Sequence, residues 1–242
     1  MSGHSKWATI KRKKGANDAI RGAMTTKISR EITIAVKMGG ADPTGNMSLK
    51  LALSKAKANN VTKDNINRAI QKGLGASDTS NYEEINYEGY GPGGVAILLD
   101  ILTDNRNRTA ADVRHIFSKH GGNLGEKGSV AWIFKKKAVF TVDKETFDDE
   151  DKLMEIVMDA GAEDFDSDDE SFEITAAPED FEAIEKVLGE KGIETASAEI
   201  TQVPDTTVKL TGADAEKMQK LLDALDENDD VQNVYGNYEF ED

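Results

Sequence analysis

The chain has 242 residues, contains no cysteine and carries a formal net charge of −15 from 30 Lys+Arg and 45 Asp+Glu. The absence of cysteine excludes disulfides, thiolate zinc sites, iron–sulfur ligation and a cysteine nucleophile. The sequence contains no run of about 18 apolar residues, so it predicts no membrane span. Its basic N-terminus lacks the apolar segment of a secretory signal. We therefore expect a cytoplasmic protein.

Charge is unevenly distributed along the chain. The net charge is +10 for residues 1–80, +1 for 81–137, −18 for 138–204 and −8 for 205–242. A basic N-terminal third in an acidic chain indicates a polyanionic partner, and the acidic segments should face away from it. The alternative is that both ends are solvated surface whose charge only aids solubility.

The first 15 residues lack helical periodicity and predict a mobile basic arm. The arm contains no acidic residue, and its one aromatic ring could stack on a base. Its nucleic-acid-binding candidates are Lys6, Trp7, Lys11, Arg12, Lys13 and Lys14. The alternative is an unfolded, solvated tail.

Three amphipathic helices are predicted next, over residues 17–38, over 47–59 and from 63 onward. Their apolar residues recur at spacings of three and four, Thr62 is a good N-cap for the third helix, and Gly73 is a suitable stop. The helices should form a small bundle with a basic outer surface. The candidate nucleic-acid contacts on that surface are Lys27, Arg30, Lys37, Lys50, Lys57 and Arg68.

The short turn between the second and third helices resembles a helix-turn-helix. A recognition helix places base-reading side chains at its N-terminal end, where this chain has Asp64, Asn65 and Asn67. An asparagine could read adenine, but the aspartate would be repelled by phosphate. The pattern therefore favours phosphate contacts over sequence-specific reading of the major groove.

Strands and helices alternate beyond residue 80. The first group is a strand at 94–103, a helix at 108–119 and a strand at 129–134. The middle group is a strand at 138–142, a helix at 149–160, strands at 163–165 and 172–175, a helix at 178–190 and a strand at 195–203. The last group is a strand at 207–211, a helix at 214–225 and a strand at 231–240. The middle group has the βαβ–βαβ pattern of a ferredoxin-like domain, and the two outer βαβ units can pair into a second one.

The predicted fold class is α+β, with an N-terminal three-helix basic domain followed by two ferredoxin-like α/β domains, one inserted in the other. The expected boundaries are 1–80 for the basic arm and bundle, 81–137 plus 205–242 for the discontinuous ferredoxin-like domain, and 138–204 for the inserted acidic one. Three separate small units are the alternative, but they would leave sheet edges open.

The sequence contains no complete motif for catalysis or cofactor binding. Residues 89–94 match G-x-G-x-x-G, but they precede a strand and include Pro92, which is typical of a tight turn. The aspartates from Asp164 to Asp168 lack the glycine and the closing glutamate of an EF-hand loop and are more typical of a charged hairpin. The histidines have no cysteine to join them in a zinc site. We expect no cofactor, metal site, small-molecule substrate or catalytic residue, and hence no enzyme.

The loop at residues 103–109 is different, because it carries two arginines between a strand and a helix. Arg106 and Arg108 are bidentate donors at a helix N-terminus, which itself favours anions. They are predicted to contact an anion or RNA. The alternative is a structural role, with Asn107 or Thr109 capping the helix and the arginines paired to nearby aspartates.

Several of these segments together resemble the YebC/PmpR family. The segments are GHSKW at 3–7, IKRKKG at 10–15, ANNV at 58–61, INRAI at 66–70, YEGYGPGG at 87–94, TDNRNRT at 103–109 and GGNLG at 121–125. The likeness extends over essentially the whole chain. One departure is Thr62, where family members often have proline.

The resemblance implies three domains, a helical one and two α/β ones, one inserted in the other. It also implies a cytoplasmic, DNA-binding transcriptional regulator. Mitochondrial relatives look like translational activators of cytochrome c oxidase subunit I, and bacterial relatives have been linked to ribosomes stalled on proline-rich sequences. The expected function is therefore a non-enzymatic, nucleic-acid-binding regulator of gene expression that acts in transcription. The alternative is a ribosome-associated translation factor that binds ribosomal RNA and relieves such stalling.

Overall fold

The computed structural model describes residues 18–75 and 82–241. The described chain divides into two compact units. One joins the N-terminal helices to Lys136–Thr201, and the other joins the segment that ends at Lys135 to the segment that begins at Gln202. The three domains expected from the sequence, one of them inserted in another, stay a prediction. None of the helices in the described ranges is long and apolar enough to cross a membrane.

Helices and strands make a mixed α+β fold, as predicted. The helices are α1 Asp18–Gly39, α2 Met47–Ala58, α3 Lys63–Leu74, α4 Arg106–Lys119, α5 Glu150–Asp159, α6 Phe181–Glu190 and α7 Gly212–Glu227. The strands are β1 Glu83–Tyr90, β2 Ala96–Thr103, β3 Asn123–Leu124, β4 Phe134–Asp143, β5 Ala162–Ser167, β6 Ser171–Ala176, β7 Ser197–Pro204, β8 Val208–Leu210, β9 Val231–Gly236 and β10 Tyr238–Phe240.

The three-helix bundle α1–α3 confirms the periodicity of the sequence. Its core contains the buried side chains of Ile28, Ile32, Val36, Leu49, Ala52, Ala56 and Ala69. Thr62 caps α3 as predicted, because its side chain accepts a hydrogen bond from the Asn65 N–H. Asn46 caps α2 and also donates to the carbonyls of Ala35 and Gly40, which ties the end of α1 to the start of α2.

The sequence predicts that the third helix stops at Gly73, and this prediction is wrong. Gly73 lies inside α3, which continues to Leu74 and is followed by Gly75 as the C-cap. A Cβ atom at Gly73 would lie 2.6 Å from the Thr33 carbonyl oxygen and 2.8 Å from the Val36 Cβ. The glycine therefore permits close packing of α3 against α1.

The inserted acidic segment has the ferredoxin-like topology that its βαβ–βαβ pattern predicts. Its sheet has the strand order β5–β6–β4–β7, in which β6 lies between β5 and β4 and pairs antiparallel with both. The rings of Phe140 and Phe181 stack with centroids 4.9 Å apart and join the sheet to α6. Leu153, Val157, Ile184 and Leu188 bury the apolar faces of α5 and α6 in the same core.

Helix α2 connects the bundle to the inserted segment within the first unit. Met47 and Leu51 pack against the core of the insertion. The Lys50 ammonium lies 2.6 Å from a Glu185 carboxylate oxygen and 3.9 Å from one of Glu182. The basic bundle and the acidic insertion therefore meet through opposite charges at this contact.

The second unit has a four-stranded sheet with the order β3–β1–β2–β9. Strands β1 and β2 form an antiparallel hairpin that runs from the Glu83–Thr103 pair to the Tyr90–Ala96 pair. The connecting turn includes Gly93, whose φ of 71° favours glycine. This agrees with the tight turn predicted for the glycine-rich motif. Strands β8 and β10 form a separate parallel pair.

Of the strands predicted in this unit, one is wrong and two differ from the prediction in their bounds. Residues 129–134 contain a short 3₁₀ turn, Ala131–Ile133, and the strand that follows α4 is instead β3. The segment predicted at 207–211 shortens to β8, which does not join the four-stranded sheet. The strand predicted at 231–240 divides into β9 and β10 at Asn237, whose side chain accepts a hydrogen bond from the Ala96 N–H.

The sheet nevertheless keeps the spatial order of a ferredoxin-like domain. Strand β1, which the sequence analysis did not predict, occupies the position expected for residues 207–211. It is the first strand of the unit in the chain rather than the third. The residues of β1 are mostly polar or half-buried, so they lack the apolar run that identified β2.

Candidate nucleic-acid interface

Basic side chains are concentrated on the second half of the bundle. Residues 47–74 contain six Lys/Arg and a single acidic residue, Asp64. The exposed cations of this stretch are Lys57, Lys63, Arg68 and Lys72. A surface with this excess of positive charge attracts the phosphates of a nucleic acid.

Lys37, Lys57 and Arg68 are exposed, as the sequence predicted for the outer surface of the bundle. Lys37 and Lys57 lie in the last turns of α1 and α2, where they also interact favourably with the helix dipoles. The Arg68 Nε donates to the Asp64 carbonyl at 3.3 Å, which steadies the guanidinium on α3. Their side chains can therefore reach phosphates that approach the bundle.

Other predicted contacts of the bundle lie elsewhere. Lys27 is only 5 % exposed, so its assignment to the outer surface is wrong. Helix α1 packs against both α2 and α3, which covers a wider face than its apolar stripe indicates. Arg30 is half-buried, and Lys50 is held by the glutamates of the insertion.

The predicted arm residues lie outside the described residues. They are Lys6, Trp7, Lys11, Arg12, Lys13 and Lys14. Their role in binding stays a prediction from the sequence alone.

The N-terminal end of α3 is poorly suited to reading bases. Asp64 is exposed in the first turn, where it would meet the phosphates of a docked duplex. Asn65 is half-buried, whereas Asn67 is exposed. This geometry agrees with the sequence-based preference for phosphate contacts over direct readout of a groove.

The arginines of the loop at residues 103–109 have different surroundings. Both are exposed at the start of α4, but the Arg108 guanidinium Nη2 lies 2.9 Å from carboxylate oxygens of both Asp104 and Asp230. The Arg106 backbone carbonyl accepts a hydrogen bond from the Tyr87 hydroxyl, and the charged Arg106 side chain also interacts with that phenol rather than with a carboxylate. Arg106 is therefore better placed than Arg108 to contact an external anion.

Asn105 caps α4, whereas the structural alternative for this loop had named Asn107 or Thr109 as the cap. Its side chain accepts a hydrogen bond from the Arg108 N–H at 3.1 Å, so the helix begins two residues earlier than its periodicity indicated. The N-cap preference for asparagine was the signal that could have identified it.

Asp230 is a site residue that the sequence analysis missed. Its carboxylate accepts hydrogen bonds from the hydroxyls of Thr103 and Thr109 and from the Arg108 guanidinium. It is 9 % exposed and lies more than a hundred residues from the loop in the chain. No local pattern could join such distant residues. The network ties the loop at the end of β2 to the residue that precedes β9.

The acidic hairpin of the insertion is held together by hydrogen bonds to its own aspartates. Asp168 accepts hydrogen bonds from the N–H groups of Glu170 and Ser171, which shapes the turn between β5 and β6. This agrees with the charged hairpin predicted from the sequence. In residues 18–75 and 82–241, no group of three or more acidic or histidine side chains is arranged to hold a metal ion.

Glu173 lies beside that hairpin on β6 and is only 5 % exposed. Within the described structure, its Oε2 atom has no hydrogen-bond partner. Burial raises the pKa of Glu173 to about 8, and the negative charges of Asp166, Asp168, Asp164 and Glu199 add to the rise. The insertion therefore holds one carboxyl that keeps its proton near neutral pH.

The fold and its charges define a class of α+β protein with a basic helical N-terminal part and two antiparallel four-stranded sheets. Residues 5–76 match the family described as the TACO1/YebC protein N-terminal domain, and residues 82–238 match the TACO1/YebC second and third domain. The chain belongs to the TACO1/YebC family. This confirms the resemblance found in the sequence motifs.

Relatives match over the full length of the chain. A protein of Desulforamulus reducens is 57% identical over 242 residues, and one of Pelotomaculum thermopropionicum is 55% identical over 243, each covering 100% of both chains. Both are named "Probable transcriptional regulatory protein". The crystal structure of the conserved hypothetical protein Aq1575 from Aquifex aeolicus is similar with a TM-score of 0.81 and 42% identity, covering 93% of each chain.

Proposed function

We propose that this protein is a non-enzymatic regulator of gene expression that binds nucleic acid through the phosphate backbone. The observation that carries the proposal is the cluster of exposed cations on α2 and α3, where six basic residues accompany one acid. Cations of this kind release counterions from a nucleic acid when they neutralise its phosphates, which gives affinity without sequence preference. We expect the protein to act in the cytoplasm.

Transcription is the first candidate process. The names of the relatives from D. reducens and P. thermopropionicum support it. In this role, the bundle would grip the phosphates of duplex DNA, and the acidic insertion would stay away from the duplex. A transcriptional regulator needs specificity as well as affinity, typically about a thousandfold or more over random duplex.

Translation is the second candidate, with the ribosome as the site of action. It is favoured by the N-terminal end of α3, where Asp64 is exposed and Asn65 is half-buried. Phosphate contacts without a base-reading helix are better suited to the shaped backbone of folded RNA than to the major groove of DNA. Arg106, exposed at the start of α4, would provide a further contact with ribosomal RNA.

A competition titration at physiological salt tests the proposal. The full-length protein is offered a labelled random duplex, duplexes selected from genomic DNA and intact ribosomes. A preference for selected duplexes of about a thousandfold over random duplex would support the role in transcription. Preferential binding to ribosomes would support the role in translation. Failure to bind any of the three would contradict nucleic-acid binding altogether.

A charge-matched pair of variants shows whether binding depends on the bundle. Arg68→Glu changes an exposed cation of α3, whereas Lys186→Glu changes an exposed cation of α6 in the acidic insertion. The first substitution should weaken binding, while the second should leave it nearly unchanged. Equal effects would show that net charge, rather than the bundle surface, determines the affinity.

A further inference from the structure

We propose that the turn carrying Trp132 is a stacking site for an unpaired base of a single-stranded nucleic acid. The proposal rests on the nucleic-acid-binding function above and deepens it, because it assigns base contact to a second place in the fold. The basic bundle can neutralise phosphates, but a stacking residue must present a rigid aromatic face to solvent.

Trp132 is exposed while its neighbours are buried. Its side chain is 74 % exposed, whereas Val130 is fully buried and Phe134 is 7 % exposed. These two apolar residues anchor the short 3₁₀ turn Ala131–Ile133 on either side of the tryptophan. The indole is therefore held out of the core by a turn that is itself fixed to the core.

A buried carboxylate holds the backbone of this turn. Glu88 of β1 is 5 % exposed and accepts hydrogen bonds from the N–H groups of Gly128, Val130 and Ala131 at 2.6, 2.8 and 2.7 Å. Burial by itself would raise the pKa of Glu88, but these donors and Lys127 lower it below its usual value. The carboxylate is thus charged at neutral pH and accepts all three bonds.

A hydrogen bond to the backbone also fixes the orientation of the Trp132 indole. The Trp132 Nε1–H donates to the Ser129 carbonyl oxygen at 3.1 Å, and the Tyr90 hydroxyl donates to the same oxygen at 3.1 Å. Because its one polar group already has a partner, the exposed part of the ring offers its faces rather than a hydrogen-bond donor. An aromatic face of this kind stacks on any base and is tolerant of sequence.

The charges around the turn suit a nucleic acid better than an acidic or apolar ligand. Residues 127–135 of this unit contain two lysines and no acidic residue, and Glu126 immediately precedes them. Lys135 is paired with Asp205 yet 61 % exposed, and Lys127 is exposed at the start of the turn. A base stacked on Trp132 would therefore bring its flanking phosphates near positive charge.

Fluorescence provides a direct test in the full-length protein. The chain has two tryptophans, so a Trp7→Phe background leaves Trp132 as the single indole. The probes are a single-stranded RNA of mixed sequence and an abasic strand of the same length, which keeps the phosphates but lacks the bases. The base-containing strand should quench Trp132 fluorescence, whereas the abasic strand should bind without quenching.

The affinity of the Trp132→Ala variant distinguishes stacking from charge. Loss of one stacked base should weaken binding of the mixed-sequence RNA about 5- to 100-fold and leave binding of the abasic strand unchanged. The Trp132→Phe variant should retain most of the affinity because it keeps an aromatic face. Lys127→Gln is the matched control, and it should weaken binding of both strands and reduce the salt dependence.

Contrary outcomes are equally clear. If Trp132→Ala binds the mixed-sequence RNA as well as its parent does, the stacking site is wrong while phosphate binding stands. If neither strand binds, the proposed function fails with it. If the indole responds to no nucleic acid and is instead covered by a protein in crosslinking, the turn is a protein-docking surface and the proposal is overturned. Because the side chain is exposed, the variants should keep the melting temperature of the parent.

Discussion

The helical bundle and the acidic insertion lie in one compact unit, yet they handle charge in opposite ways. The bundle has an apolar core and exposes most of the cations of α2 and α3. The insertion, with a net charge of −18, retains a buried carboxyl, Glu173, on the central strand β6. The two regions meet where Lys50 of α2 contacts Glu185 of α6.

Side-chain length explains part of this difference. A lysine or arginine can lie along an apolar surface and still reach water with its charged end. A glutamate on a central strand is short, so its carboxyl stays where the strand places it. Burial, and in second place the like charges around Glu173, then favour its neutral form rather than an ion. Charge on the bundle is therefore available to the binding role proposed above, while charge on the insertion raises the pKa of a buried carboxyl.

The largest expected effect is on the pH dependence of stability, through Glu173→Gln. A pKa of about 8 in the folded state lies above the ordinary value of 4.5, so the folded state holds the proton more tightly than the unfolded chain. The free energy of unfolding should therefore fall as the pH rises from about 4.5 to 8. The substitution should remove this loss, which is on the order of 4 kcal/mol above pH 8.

Urea unfolding of the full-length protein across this pH range measures the effect. Glu194→Gln is the control, because Glu194 is an exposed acid of the same segment. It should leave the pH dependence of the parent protein intact. Parallel pH profiles for the parent and Glu173→Gln would show that Glu173 ionises normally in the folded state.

The next effect concerns the other side of the comparison, the exposed cations of the bundle. The double variant Lys57→Gln and Arg68→Gln should weaken binding of random duplex about 10- to 100-fold at physiological salt, since it removes two phosphate contacts. The slope of log affinity against log salt should also become shallower by about 2. Titrations at several salt concentrations measure both. An unchanged slope would place the phosphate contacts elsewhere.

A smaller effect is expected from Gly73→Ala at the contact between α1 and α3. Alanine is better than glycine in a helix by about 1 kcal/mol, but the new methyl group would lie 2.6 Å from the Thr33 carbonyl. We expect a net loss of about 1–2 kcal/mol in the free energy of unfolding. Gly189→Ala in α6 is the control, because its Cβ meets nothing within 4 Å and should stabilise the protein. Stabilisation by both would argue against tight packing at Gly73.

The smallest effect is expected for the ion pair between Lys50 of the bundle and Glu185 of the insertion. A double-mutant cycle of Lys50→Ala and Glu185→Ala should give a coupling energy of about 0.5 kcal/mol, since each side chain is about one third exposed. The more exposed pair Lys186–Glu190, 3.8 Å apart, should couple less. Denaturant unfolding measures both cycles. Equal coupling in the two cycles would show that the contact between α2 and α6 is held by Met47 and Leu51 rather than by charge.

Elements with a strong local pattern were predicted well. The helices of the bundle, the N-cap Thr62 and the ferredoxin-like insertion were all recognised, because their apolar periodicity and capping residues lie close together in the chain. Strand β1 was missed because half of its residues are polar and it follows no apolar run. Strand β8 was recognised, but its place in a separate pair depends on β10, far along the chain.

The features of the candidate interface also fall into those that the sequence predicts and those that depend on tertiary contacts. The basic character of α2 and α3 is evident in the sequence, and so is the pair of arginines at the start of α4. The burial of Lys27 and the pairing of Arg108 with Asp230 could not be predicted, because each depends on a neighbour from another element. The exposure of Trp132 belongs to the same group, since residues 129–134 read as an ordinary apolar strand.

The sequence by itself determined the family, the α+β class, the periodic helices and the separation of basic from acidic segments, because these are properties of neighbouring residues and of composition. The tertiary structure alone decided which cations reach solvent, which carboxyl stays protonated and which aromatic ring is held outside the core. Those outcomes depend on packing between segments that are distant in the chain. Burial, and with it the electrostatic environment of each group, is created only when such segments meet.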